Sequence, residues 1–242
     1  LAGRRPNIPY RLDDEAGATW VLRRPPLGHV MPTAHDMARE HRVLVGLDSV
    51  GFPVPHPIAL CEDAEVIGAT FQLMDFVPGR VVDSAAASAQ LTVEQRSAVS
   101  RALVDTLARL HAVDVDAAGL ARLGRPDGYL ERQVQRWSQQ WELSATRDLP
   151  MIDTLRDRLA ASIPASPRSG IVHGDFRIDN TLLDDDMSVR AVVDWEMATL
   201  GDPVADLAVA LVYWTQEGDG LRRSVPVAQG VTALDGFWTR EQ

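Results

Sequence analysis

Lysine is absent from this 242-residue chain, so all 24 of its Lys and Arg residues are arginines. Any site that needs a permanent cation must therefore use a guanidinium, a bulkier planar fork in place of a point charge. Cysteine is almost absent too. The single Cys61 excludes an internal disulfide framework and a cysteine-rich zinc site, which leaves it as a buried small hydrophobe. No apolar run approaches the length that spans a bilayer, and the opening LAGRRPNIPY has no apolar signal core. The chain is expected to be cytoplasmic, with no membrane partner. Positive charge is scarce overall: the formal net charge is −10, which argues against nucleic acid, since a phosphate backbone is bound by clustered basic groups. No internal repeat is visible.

What is present fits a globular enzyme. Hydrophobic residues make up 45% and charged residues 24%, and the length suffices for one large domain or two lobes sharing a cleft. The acids are crowded. From His173 to Asp206 there are nine, at Asp175, Asp179, Asp184, Asp185, Asp186, Asp194, Glu196, Asp202 and Asp206, against Arg177 and Arg190, a net of −7 that a divalent cation would relieve.

The hydrophobic periodicity changes character along the chain. YRL, the turn DDEAGA and TWVLR predict a hairpin ending at Arg23, and Thr33 is placed to cap a helix through Leu47 with Glu40 in its middle. The proline-rich GFPVPHPIAL is extended, and VIGATFQLM predicts further strand. After about Gly79 the pattern turns helical. A Thr92 to Gln95 capping box opens a helix to His111, a second starts at Asp127 with Trp137 and Trp141 packed on its apolar face, and a third runs from Leu149 to Ala160. DSAAASAQ reads as a linker. Short strands then surround HGDFRIDN and VVDWE, and a helix follows from Asp202.

In HGDFRIDN an aspartate and an asparagine stand five positions apart. Phosphoryl transfer uses such a pair, the carboxylate accepting the proton of an attacking hydroxyl and the amide helping to hold a metal beside the nucleotide phosphates. The same residue types also shape turns. The ordered series VLRRPP, MDFVPG, HGDFRIDN and VVDWEMATLGDPVADLA resembles the aminoglycoside phosphotransferase family, and within it the kinase-like domains associated with acyl-CoA dehydrogenases. The resemblance implies an α+β, protein kinase-like two-lobed fold, with a small mainly β N-terminal lobe over residues 1–78 and a larger mainly helical C-terminal lobe over 79–242. It implies an ATP- and Mg²⁺-dependent phosphotransferase acting on the hydroxyl of a small molecule, such as a hydroxyacyl-CoA. The alternatives are an aminoglycoside acceptor or a non-catalytic nucleotide-binding module.

By this resemblance Asp175 matches the catalytic base, and Asn180 and Asp194 match the Mg²⁺ ligands. Arg23 stands where the phosphate-contacting lysine is usual, with Glu40 as its ion-pair partner. Met74, Asp75, Phe76 and Val77 match the hinge that meets adenine, and Leu182 and Val193 its floor. His173 is expected to fix the catalytic loop, Asp206 to anchor the loop backbone, Asp202 to cap a helix, His111 to be a satisfied core or cap residue, and Trp214 to pack. Asp184 to Asp186 are expected to form a solvated turn. The chain departs from the family at GRRPN, where Pro6 removes a backbone donor from the phosphate loop. The ends of the sequence are expected to lack part of the first lobe and the last helices.

Overall fold

Residues 8–26, 36–166, 168–220 and 230–242 are described by the computed structural model. GRRPN and Thr33 lie outside these residues. Asp14 builds the first turn by accepting the Ala18 amide at 2.7 Å, and Gly17 supplies the positive φ of 88° the turn needs. The hairpin it closes is β1 (Ile8–Asp13) and β2 (Thr19–Arg24). Strands β3 (Pro57–Cys61) and β4 (Phe71–Asp75) complete an antiparallel sheet of order β1-β2-β4-β3, in which Arg23 lies opposite Gln72.

Helix α1 (Met37–Ser49) packs on this sheet through Met37, Val43, Leu44 and Leu47. Asp36, not Thr33, is its N-cap and accepts the Arg39 amide at 2.9 Å, so Glu40 sits in the first turn instead of mid-helix. Two further expectations are corrected. Within VIGATFQLM only Phe71 onward is strand, because Ala64 to Gly68 close a turn through the Gly68 amide and the Ala64 carbonyl. DSAAASAQ is not a linker: Ser84 caps a short α2 (Ala85–Ala89), whose buried Ser88 hydroxyl donates to the Val231 carbonyl.

The second lobe is helical around two small ribbons. Helix α3 (Val93–His111) opens with the Thr92–Gln95 capping box and buries Val99, Leu103, Leu107 and Leu110. Helices α4 (Tyr129–Ser144) and α5 (Pro150–Ala161) contact each other and bury no residue fully. Trp137 is 56% exposed, which contradicts the packing role expected of it. Strand β5 (Gly170–Val172) pairs with β8 (Thr199–Gly201), and β6 (Thr181–Leu183) with β7 (Val189–Val192). Helix α6 (Pro203–Tyr213) starts at Asp202, which accepts the Val204 amide at 2.8 Å. Cys61 ends β3 only half-buried. Among the described residues no helix is long and apolar enough to cross a membrane.

One apolar cluster runs through both lobes, from Val43 and Leu47 of α1 to Leu107 of α3, Ile171 of β5 and Trp195. The Val192 amide donates to the Pro53 carbonyl at 2.8 Å, tying β7 to the extended segment after α1. These joints fix the geometry of the loops after β5 and β7, which face β2 and α1.

Candidate active site

The loop after β5 begins at a fully buried histidine. The His173 Nε2–H donates to the Val193 carbonyl at 3.0 Å, while its Nδ1 accepts the Asp175 amide at 3.2 Å. That pair of bonds defines a neutral ring, and burial holds its pKa below the usual histidine range. His173 thus clamps the loop carrying Asp175 to the residue before Asp194. Trp195 packs against the ring at a centroid distance of 4.6 Å.

Asp206 holds the same loop from below. Its Oδ2 accepts the His173 amide and its Oδ1 the Gly174 amide, both at 2.8 Å, and His111 Nε2 lies 3.1 Å from Oδ2. Gly174 has a φ of 82°, and a Cβ there would come within 2.9 Å of Met197. The loop therefore turns where only glycine fits. The anchoring expected of Asp206, the cap at Asp202 and the satisfied His111 all correspond to these bonds.

Asn180 closes the loop. Its Nδ2 donates to the Asp175 carbonyl at 2.8 Å and lies 3.3 Å from Asp175 Oδ2. The amide nitrogen is thereby spent inside the loop, leaving the amide oxygen for a cation. The Val193 amide in turn donates to the Asn180 carbonyl at 2.9 Å. Asp194 follows with φ 68° and ψ 59°, a left-handed conformation that is uncommon for a residue with a side chain and typical of functional loops. Burial raises the Asp175 pKa, and Arg177, His173 and Asn180 oppose the rise.

Arg23 brings the first lobe into the site. Its Nη1 donates to Glu40 Oε1 at 2.6 Å, its Nη2 to Asp194 Oδ1 at 2.5 Å, and Glu196 Oε2 lies 3.8 Å away. Burial works against the guanidinium charge, but Glu40, Asp194 and Glu196 more than offset it and raise its pKa. Glu40 is 2% exposed, and burial pushes its carboxyl up to about 7 against the pull of Arg23 and of the Trp195 backbone.

The expected adenine-facing residues lie nearby with mixed exposure. Met74 is buried in β4, Asp75 ends the strand, and Phe76 is exposed with the Arg11 guanidinium 4.9 Å from its ring centre. The amides of Asp75 and Phe76 are occupied by the His56 and Thr19 carbonyls. Val77, Leu182 and Val193 are half-buried. Among the described residues no group of three or more His, Cys, Asp or Glu is arranged to hold a metal. A two-donor set of Asn180 and Asp194 nevertheless suits Mg²⁺, which takes few protein ligands and fills its shell with water and phosphate oxygens.

Arg177 and Tyr213 also belong to the site, and no role had been assigned to them from sequence. Arg177 Nε lies 3.5 Å from Asp175 Oδ2, its Nη2 lies 2.9 Å from Asp179, and its guanidinium covers the Tyr213 ring at 4.7 Å. The proximity of Arg177 to the aspartate in HGDFR was a usable signal. Tyr213 gave none, because it reaches the loop from the far end of α6. Beside them a cavity of about 510 Å³, walled by residues such as Leu103, Leu107, Leu207 and Trp238, runs behind the loop.

A family model for the phosphotransferase enzyme family matches residues 5–237. The chain belongs to this family. Relatives in the family include mouse acyl-CoA dehydrogenase family member 10, 38% identical over 89% of this chain and 20% of that protein. Chicken acyl-CoA dehydrogenase family member 11 is 40% identical over 83% of this chain and 26% of that protein. The chain therefore spans about a quarter or less of these relatives. Among solved structures, a candidate aminoglycoside phosphotransferase of Ralstonia eutropha matches with a TM-score of 0.76 and 31% identity, covering 99% of this chain and 73% of that one. An aminoglycoside-3'-phosphotransferase of type VIII matches in fold with a TM-score of 0.66 at 23% identity, over 99% of this chain and 79% of its own. The α+β kinase-like, two-lobed fold is that of the family.

Proposed function

We propose that this chain transfers the γ-phosphoryl group of ATP to the hydroxyl of a small metabolite, with Asp175 as the base. The observation that carries the proposal is Arg23, which joins Glu40 of α1 to Asp194 of the second lobe within 2.6 Å and so draws both lobes onto one cleft beside Asp175. Asn180 and Asp194 are the residues that would hold Mg²⁺, which supplies charge neutralisation to the phosphates. Arg23 would contribute positive charge on the same side, and Met74 to Val77, Leu182 and Val193 would line the adenine.

In the transfer step the acceptor oxygen forms a bond to the γ-phosphorus, the bond from that phosphorus to the ADP oxygen breaks, and the acceptor proton passes to the Asp175 carboxylate. A carboxylate of raised pKa is the better base. His173 and Asp206 keep it in place.

For the acceptor, a hydroxyacyl-CoA or similar hydroxylated acyl compound fits best. The names of the relatives carry acyl-CoA dehydrogenase, and the cavity beside the loop is largely apolar, which suits a hydrocarbon body better than a polycationic aminoglycoside. We read residues 1–78 and 79–242 as the two lobes flanking the cleft. The full-length protein should be incubated with Mg²⁺ and ATP together with 3- and 4-hydroxyacyl-CoAs and kanamycin, and the products weighed by mass spectrometry. Phosphorylated hydroxyacyl-CoA supports the proposal, and efficient transfer to kanamycin alone overturns its acceptor class.

A further inference from the structure

Arg39 ties helix α1 to the second lobe through backbone carbonyls. Its Nη2 donates to the Leu123 carbonyl at 2.9 Å and to the Ala198 carbonyl at 2.7 Å. Leu123 lies between α3 and α4, and Ala198 leads into β8. The two backbones are packed together, since a Cβ on Gly124 would collide with Thr199 Oγ1 and stand 3.0 Å from the Leu200 amide nitrogen. The next residue of α1, Glu40, reaches the same stretch from its other end, where Arg23 bridges it to Asp194 Oδ1. Between Asp194 and Ala198 the chain makes a single turn, closed by the Ala198 amide on the Trp195 carbonyl at 3.1 Å. Trp195 in that turn is buried edge-on against Phe52, and Met197 backs Gly174 of the loop that carries Asp175. Residues 39 and 40 thus grip both ends of one short segment.

The two grips differ in kind. The pair of Arg23 and Asp194 is exchangeable, because a phosphate competes for the guanidinium and a cation for the carboxylate. The carbonyls that Arg39 holds are backbone groups, and Ala198 is fully buried, so neither ligand competes for them. We infer that Arg39 is a positioning residue for Asp194, whose bonds to Leu123 and Ala198 keep the Asp194–Ala198 turn seated on α1 when Arg23 passes from Asp194 to a nucleotide phosphate. Arg39 touches neither nucleotide nor acceptor in this role and acts through the backbone that presents the Asp194 carboxylate. The inference rests on the phosphotransferase reading above, in which Asp194 would hold Mg²⁺.

The test reads binding and stability instead of turnover. Full-length wild type, Arg39→Met, Arg39→Lys and Arg96→Met are titrated with Mg²⁺ at a fixed ADP concentration, and their melting temperatures are recorded without ligand. Arg96 is the control, because its guanidinium also serves two carbonyls, those of Ser88 and Asp235 at 3.1 and 2.9 Å, and none of the three residues belongs to the site. Arg39→Met keeps the apolar stem and removes the donors. Its half-saturating Mg²⁺ concentration should rise about 10- to 100-fold, the usual cost of losing a group that orients a metal ligand, while Arg96→Met stays within about twofold of wild type whatever its melting temperature. Arg39→Lys, which keeps a donor but not the planar fork, should lie between. An unchanged Mg²⁺ requirement in Arg39→Met overturns the inference. An equal rise in Arg96→Met also overturns it, since the effect is then one of general stability. If Arg39→Met does not fold, Arg39→Lys decides, and a wild-type Mg²⁺ requirement there overturns the inference. Wild type that binds ADP equally well with Mg²⁺ and with EDTA strikes the Mg²⁺-dependent phosphotransferase reading itself, and the inference with it.

Discussion

Arg23 holds one cation against three carboxylates, and the consequences are specific to arginine. One guanidinium nitrogen serves Glu40 and the other Asp194, a division that a lysine ammonium reproduces poorly. Arg23→Ala should strand a buried Glu40, with a penalty of about 3–5 kcal/mol if the site is as dry as its 14% exposure suggests. Adding Glu40→Gln to that variant should restore much of the loss, because a neutral amide needs no counter-charge. Urea denaturation of the single and double variants measures both effects, and full stability in Arg23→Ala would show the network to be energetically idle. At Asp175 a different outcome is expected: Asp175→Ala should lower turnover roughly 10²- to 10⁴-fold with ATP affinity nearly unchanged, since the proposed base would touch acceptor and not nucleotide. Rapid-mix turnover and equilibrium nucleotide binding check it together. The Arg23 and Glu40 pairing was implied by the resemblance, which matched both residues to the family's order of strand-end cation and helix carboxylate. The bond from Arg23 to Asp194 was not, because it crosses between lobes and depends on a left-handed backbone at Asp194 that local preference for an aspartate does not dictate.

Elements were legible where periodicity was long and less so where a single side chain decided. The capping box and apolar face of α3 were read correctly, since Thr92, Gln95 and the leucines act locally. The start of α1 was misplaced because two polar residues compete for the cap, and α2 was overlooked because five residues show no period. Gly46 illustrates a tertiary override. In mid-helix, alanine is favoured over glycine by about 1 kcal/mol. Here a Cβ would stand 2.5 Å from the Ala118 carbonyl oxygen and 2.7 Å from the Leu120 side chain. Gly46→Ala should therefore destabilise the fold by about 1–3 kcal/mol and shift the helix that bears Glu40. A melting temperature at or above wild type would show that α1 moves freely. Helix α6 is tied to the catalytic loop through Asp206. Burial alone would raise that carboxyl, but hydrogen bonds from His111 and from the His173 and Gly174 amides more than offset it, so its pKa lies below 3.8. A depressed folded value means that this contribution is present above the unfolded value of 3.8 and is lost as pH falls through the folded one. Asp206→Asn should thus be less stable at neutral pH and show a shallower fall in stability between pH 4 and pH 2. Denaturation curves across that range would refute the anchor if wild type and variant lose stability in parallel.

Across the whole molecule, part of the acid-rich stretch of net −7 is structural, with Asp202 capping α6 and Asp206 anchoring the loop, while Asp175, Asp194 and Glu196 gather at the cleft, where cations relieve their repulsion. Arg23 supplies one, and it already lies on Asp194 in this structure. On the proposed reading Asn180 and Asp194 would hold Mg²⁺, and a nucleotide phosphate would give the Arg23 guanidinium a partner in place of Asp194. Nucleotide and metal should accordingly bind as a unit. Saturating ligand stabilises a fold by RT ln(1 + [L]/Kd), about 2.7 kcal/mol at a hundredfold excess over Kd. For a chain of this size each kcal/mol moves the melting temperature by roughly 2–4 °C, so Mg·ADP should raise it by roughly 5–10 °C. ADP in the presence of EDTA should give a much smaller shift. Asp194→Ala should lose most of the Mg²⁺-dependent part, and Asp175→Ala should keep it, because only the first removes a proposed metal ligand. Differential scanning fluorimetry of the three proteins with ADP, with and without Mg²⁺, separates these outcomes. An equal Mg²⁺-dependent shift in Asp194→Ala and Asp175→Ala would mean that the cleft holds the metal by other groups. The assignment of Asn180 and Asp194 as its ligands would then fall, while the fold and the anchoring of the loop would stand.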